Sequence, residues 1–256
     1  GRMGQAIIRC VLESTEARLS CALVRPGSGL ADEPLDRVFG ALHRNVDFST
    51  SLDPDMPCNV LVDFSGPVAF DAALALAVER RVGFVSGTTG LRDEQFTAMQ
   101  NAARVIPVLW ASNFSLGVAM LVRCARRVAG AMPDWDCEIV DFHHRRKVDA
   151  PSGTALELGR AVAEGREHAL AERATYTRCS QTGPRASGEI GFAALRGGDV
   201  IGEHTLIFAT DGELLELTHR ATSRDIFARG ALAAAIWLAK REPGMYSFDQ
   251  VLAPSA

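Results

Sequence analysis

Val60-Leu61-Val62-Asp63-Phe64-Ser65-Gly66-Pro67, running into an Ala- and Leu-rich stretch over 68–81, decides the fold of this chain. The first five residues form a compact apolar run, the pattern of a parallel strand buried on both faces. Ser65-Gly66-Pro67 then turns the chain into a helix. The unit repeats at once. Val82-Gly83-Phe84-Val85-Ser86 reads as a strand, 92–103 as a helix, and Val105-Ile106-Pro107-Val108-Leu109 as a strand. Strands alternating with helices predict an α/β fold with a parallel, doubly wound sheet, in which ligands bind at the carboxyl ends of the strands. Gly87-Thr88-Thr89-Gly90 and Ala111-Ser112-Asn113-Phe114 fall at two such ends.

Toward the start, Gly1-Arg2-Met3-Gly4-Gln5-Ala6-Ile7-Ile8 leads into a helix over 5–14, and Leu19-Ser20-Cys21-Ala22-Leu23-Val24 reads as a buried strand. This is a βαβ unit without its first strand, so about a dozen residues are expected upstream. Gly1 and Gly4 are spaced like the close of a glycine-rich phosphate loop, a weak signal by itself. Residues 26–57 are loop-rich and carry many Asp, Pro and Ser.

Toward the end, a long helix over 114–130 opens a second domain. Cys137-Glu138-Ile139-Val140-Asp141-Phe142 suits a strand, and 155–163 an amphipathic helix. Residues 164–186 are polar and irregular, and three strands follow over 189–195, 200–209 and 213–219. Gly197-Gly198-Asp199 and Asp211-Gly212 read as hairpin turns. An Ala-rich helix spans 225–240. The fold expected is a Rossmann-like N-terminal sheet plus an α+β C-terminal domain with an open mixed sheet. The second domain opens near residue 115.

Chemistry concentrates in His143-His144-Arg145-Arg146-Lys147-Val148-Asp149-Ala150-Pro151-Ser152-Gly153-Thr154-Ala155. Whether in a helix or a strand, the four-residue spacing lets His143 and Lys147 face one ligand. Ser152 or Thr154 can cap the following helix, and amides near Gly153 and Thr154 can meet an anion. A cationic strand end against a helix start suits one or two carboxylates; the bland alternative is a solvated basic loop beside an ordinary cap. A metal reading of Glu138, Asp141, His143 and His144 is disfavoured, because two Arg and a Lys repel a cation. No metal is therefore expected, and His168, His204 and His219 read as structural or surface groups.

The net charge of −4 argues against a dedicated nucleic-acid partner. No apolar run reaches membrane-spanning length. The six scattered cysteines lack a C-x-x-C pair and read as reduced thiols of a cytoplasmic protein.

The whole string from His143 to Ala155 resembles the signature of the bacterial dihydrodipicolinate reductase family. The resemblance covers nearly the whole chain, most strongly at 87–90, 111–117, 137–155 and 188–205. It implies a cytoplasmic homotetramer that reduces a cyclic dicarboxylate, 4-hydroxy-tetrahydrodipicolinate, with NADPH or NADH, with 1–114 and 225–256 as the nucleotide-binding domain and 115–224 as the substrate and oligomerisation domain. It implies proton donation at His143 and Lys147 and substrate binding at His144, Gly153 and Thr154. Gly1, Arg2 and Met3 match the end of the family's nucleotide loop. Gly87, Thr88, Thr89, Ala111, Ser112, Asn113 and Phe114 match segments lining the nicotinamide side. Where the family has an acidic residue before Arg, this chain has Val24 before Arg25. A guanidinium without the neighbouring carboxylate suits a 2′-phosphate, so NADPH is expected over NADH. The opposing reading is a non-catalytic or truncated NADP-binding homologue.

Overall fold

The computed structural model describes residues 1–40, 46–180 and 183–252. Parts of the loop-rich stretch (41–45), of the polar stretch (181–182) and the tail 253–256 lie outside the described residues. The chain falls into two compact units: Gly1–Phe114 with Phe227–Val251, and Ser115–Ile226.

In the first unit the elements run α1 (Arg2–Leu12), β1 (Ala22–Leu23), α2 (Asp36–Phe39), β2 (Phe48–Ser49), β3 (Val60–Asp63), α3 (Pro67–Arg80), β4 (Gly83–Ser86), α4 (Asp93–Ala102) and β5 (Pro107–Trp110). The second unit holds α5 (Leu116–Ala131), β6 (Asp136–His143), α6 (Gly153–Gly165), α7 (Leu170–Arg173), β7 (Ala174–Thr175), β8 (Ile190–Arg196), β9 (Gly202–Thr210) and β10 (Glu213–Ala221). Helix α8 (Asp225–Leu238) and strand β11 (Gly244–Tyr246) return the chain to the first unit.

The first unit has a four-stranded parallel sheet in the order β11-β5-β4-β3. All four residues of β4 are buried, as expected of a parallel strand covered on both faces. Strand β3 differs from the expectation. It lies at the sheet edge, and Val60, Leu61 and Val62 are only half-buried. The expected strand over 19–24 shortens to two residues, which pair with β2 in a separate parallel ribbon. Strand β11 has no apolar run that a sequence scan would pick up. Phe70, Leu74, Phe84, Met99, Ile106 and Val108 form the core where α3 and α4 meet the sheet.

The second unit is a five-stranded mixed sheet in the order β10-β9-β6-β8-β7. Helices α5 and α6 cover one face through Val118, Leu121, Ala125, Leu158 and Val162 against Ile139, Ile190, Leu206 and Phe208. The helices approach closely: a Cβ on Gly165 would stand 2.4 Å from the Arg126 carbonyl oxygen. Gly197-Gly198-Asp199 is not a hairpin turn. Strand β6 lies between β8 and β9, parallel to one and antiparallel to the other, so this loop crosses the end of β6. That crossing brings it against the basic stretch. Asp211-Gly212 does join two neighbouring antiparallel strands, β9 and β10.

Candidate active site

Strand β6 builds the site. Its alternate residues Cys137, Ile139, Asp141 and His143 are buried, while the residues between them are more exposed. The first two belong to the core, and at the carboxyl end the same face turns polar. Register places Arg196 of β8 opposite His143, and His204 of β9 opposite Asp141.

Asp141 is the centre of this arrangement. His143 Nδ1 lies 2.5 Å from its Oδ1, and the Ser152 amide donates to its Oδ2 at 2.6 Å. The Arg196 guanidinium adds contacts of 3.3 and 3.4 Å. Burial pushes this carboxyl up, but the donors from His143, Ser152 and Arg196 outweigh it and hold the group well below the usual carboxylate range. The Ser152 hydroxyl caps α6 by accepting from the Ala155 amide at 3.2 Å. The same hydroxyl lies 3.1 Å from His204 Nε2. The His143 and His204 rings meet edge to face, 5.1 Å between centroids. Burial, and then the charge of His143, push His204 down to about 4.

The basic stretch is neither strand nor helix beyond His143. The Lys147 amide donates to the His144 carbonyl at 3.1 Å, closing a turn. The crossing loop braces that turn: the Gly197 amide reaches the His143 carbonyl at 2.9 Å, and the Arg145 amide the Gly198 carbonyl at 3.2 Å. Gly198 takes φ +53°, a conformation that favours glycine. Arg145, Arg146, Gly198 and Asp199 line an open hollow here. Lys147 Nζ lies 2.8 Å from Asp149 Oδ1, so its near neighbour is an anion as well as the expected cations. His144 keeps a buried Nδ1 with no hydrogen-bond partner among the described residues. Gly153 begins α6, is exposed, and would meet nothing within 4 Å if it carried a Cβ; Thr154 follows it, half-buried.

Asp141, His143 and His204 have ligand-type atoms within 4.8 Å of one another. His204 thus stands where the sequence considered Glu138 and His144. Both Asp141 oxygens already accept from His143, Ser152 and Arg196, and a cation would face the Arg196 guanidinium. The donor set does not fit a metal ion.

In the first unit, helix α1 starts at Gly1 with no side-chain cap and no acid in its first turn. A Cβ on Gly1 or Gly4 would meet nothing within 4 Å. Arg2 is exposed and Met3 half-buried. First-turn helix amides are the kind of group that meets a phosphate. Arg25 is exposed just past β1. At the end of β4, a Cβ on Gly87 would run into the Phe64 ring, so a larger residue here would have to displace that ring. Thr88 is turned inward: its hydroxyl donates to Asp63 at 2.7 Å, and its carbonyl accepts from Trp110 Nε1 at 2.8 Å. Thr89 stays exposed. Past β5, Ala111 donates its amide to the Ser86 carbonyl at 3.2 Å. Ser112 is exposed and Asn113 half-buried. Phe114 packs between Phe64 and Phe248, with centroids 5.1 and 4.9 Å away. Buried Asp63 knits these ends, accepting also from the hydroxyls of Ser65 and Ser86.

Sequence reasoning passed over His204 and Arg196, which only strand register brings to the site. Asp141 carried a readable signal, its period-two spacing from His143.

A parallel, helix-flanked sheet in one unit and an imidazole-centred basic site at a strand end in the other are the build of a two-domain α/β enzyme. The family models described as dihydrodipicolinate reductase, N-terminus and C-terminus, match residues 1–114 and 117–252. A 4-hydroxy-tetrahydrodipicolinate reductase of Pseudoalteromonas atlantica is 41% identical over 98% of this chain and 95% of its own. One of Cereibacter sphaeroides is 45% identical over 98% and 94%. The dipicolinate-bound dihydrodipicolinate reductase of Paenisporosarcina sp. TG-14 shares the fold, with a TM-score of 0.76 at 24% identity over 98% of this chain and 96% of that one. The chain belongs to the dihydrodipicolinate reductase family. It is an oxidoreductase of lysine and diaminopimelate biosynthesis that uses a pyridine nucleotide. Among the described residues, no helix is long and apolar enough to cross a membrane.

The buried His204 makes stability fall in mild acid. Folded, it stays neutral down to about 4; unfolded, it takes a proton near 6.5. Between those values the unfolded chain binds more protons, so its contribution worsens as pH falls from 6.5 to 4 and is level above. The loss across the window is on the order of 3 kcal/mol. Denaturant unfolding at several pH values should show a shallower slope in His204→Asn; an unchanged slope would assign the loss elsewhere.

Proposed function

We propose that this chain reduces (2S,4S)-4-hydroxy-2,3,4,5-tetrahydrodipicolinate to tetrahydrodipicolinate, using NADPH in preference to NADH. Substrate, reduced nucleotide and one proton become product, oxidised nucleotide and water. The observation that carries this reading is family membership across both units together with an unbroken stretch from His143 to Thr154. When bound, the nucleotide supplies a hydride to the ring. His143 and Lys147 supply the proton, and an imidazole is a suitable acid near neutral pH. His144, Gly153 and Thr154 hold the ring carboxylates; the unpartnered Nδ1 of His144 and the start of α6 support that role.

For the nucleotide, Gly1, Arg2 and Met3 take the phosphates. Gly87, Thr88, Thr89, Ala111, Ser112, Asn113 and Phe114 border the nicotinamide, Phe114 as a packed wall. Exposed Arg25 takes the 2′-phosphate, where Val24 leaves no carboxylate to repel it.

The sheet face away from α5 and α6 leaves Leu195 and Leu214 49% and 67% exposed, and nine-residue β10 forms its edge. Such a face supports a homotetramer, for which light scattering should give four times 27.5 kDa and not one. Six free cysteines suit a reducing cytoplasm.

The test is nucleotide oxidation with the substrate generated enzymatically. NADPH should give the higher kcat/KM, and equal values for NADH would contradict the preference. Lys147→Ala should lower kcat by about 100-fold or more. Its partner Asp149 is 54% exposed, so losing that pair costs the fold less than about 1 kcal/mol. Unchanged turnover would remove Lys147 from the mechanism.

A further inference from the structure

The Asp141 carboxylate is used by two parts of the site at once. One oxygen meets His143 at the end of β6, and the other meets the Ser152 amide at the head of α6. We propose that Asp141 is a positioning residue: it holds His143 with Nδ1 as donor, so that Nε2 is the nitrogen that releases the proton, and it sets the spacing between that imidazole and the first turn of α6. This rests on the reading that His143 serves the reaction.

The geometry carries the tautomer. An ionised carboxylate only accepts hydrogen bonds, so Nδ1 bears a hydrogen whether the ring is charged or neutral. Nε2 is left as the exchangeable site, on the side where Gly202 lies; a Cβ there would stand 3.0 Å from it. The other groups around the imidazole come from every neighbouring element. Arg196 of β8 binds Asp141, His204 of β9 packs on the ring, Ser152 of α6 bridges Asp141 and His204, and Lys147 follows in the turn. With three donor groups converging on Asp141, no room remains for a donor in its place. An asparagine would present its NH2 to Ser152 and Arg196 or to His143, and one of those bonds must fail.

The full chain is assayed as the wild type, Asp141→Asn, His143→Ala and the double variant. Asp141→Asn is expected to lose about 100-fold in kcat while KM for NADPH stays within about threefold. The double variant is expected to be no slower than His143→Ala, because the two residues act as one unit. A kcat for Asp141→Asn within about threefold of wild type, or losses that multiply in the double variant, would overturn the proposal. If His143→Ala itself retains turnover, the underlying reading of His143 falls instead. Nitrogen-15 spectra of wild-type His143, assigned by their absence in His143→Ala, need no Asp141 variant. They should show the neutral ring with its hydrogen on Nδ1, and a hydrogen on Nε2 instead would equally overturn the proposal.

Discussion

A carboxylate that is 1% exposed has no water to solvate it, so the surrounding chain must supply its donors. Asp141 imposes that requirement on the second unit. Left unpaired, a buried charge costs several kcal/mol, so the fold is stable only when His143, Ser152 and Arg196 converge on it. Three elements are thereby fixed relative to one another: the end of β6, the head of α6 and the end of β8. The residues proposed to carry the chemistry hang from those ends. The constraint that keeps the unit folded also sets the site.

The nucleotide-type unit uses the same device. Asp63 closes β3 and is 4% exposed. It accepts from Ser65 in the turn after β3, from Ser86 at the end of β4 and from Thr88 in the turn that follows. Trp110 at the end of β5 ties in through the Thr88 carbonyl. Strand ends in a parallel sheet are where ligands bind, and loops there need rigid backbones to hold one. In both units a buried Asp near a strand's carboxyl end does that tying.

Much of this was readable from the chain alone. The βα alternation over 60–110 stood out because parallel strands and their helices differ in period and composition. The basic stretch and Ser152 as a cap were local features, and local features survive folding. What escaped was long-range. The crossing of β8 and β9 around β6 turned an apparent hairpin into a brace for the basic turn, and nothing in Gly197-Gly198-Asp199 distinguishes the two. His204 and Arg196 reach the site only through register, fixed by the pairings Asp141↔His204 and His143↔Arg196, 63 and 53 residues apart in the chain. The stretch from His143 to Lys147 showed its spacing, but the turn that bends it depends on that same brace.

The most direct measurement is a crystal structure of this chain with NADPH and dipicolinate. The dicarboxylate ring should lie within hydrogen-bond distance of His143 Nε2, with one carboxylate at the Gly153 and Thr154 amides and Asp141 still bonded to His143 Nδ1 and the Ser152 amide. A ring bound away from the head of α6, or His143 detached from Asp141 and turned to solvent, would contradict the proposed mechanism.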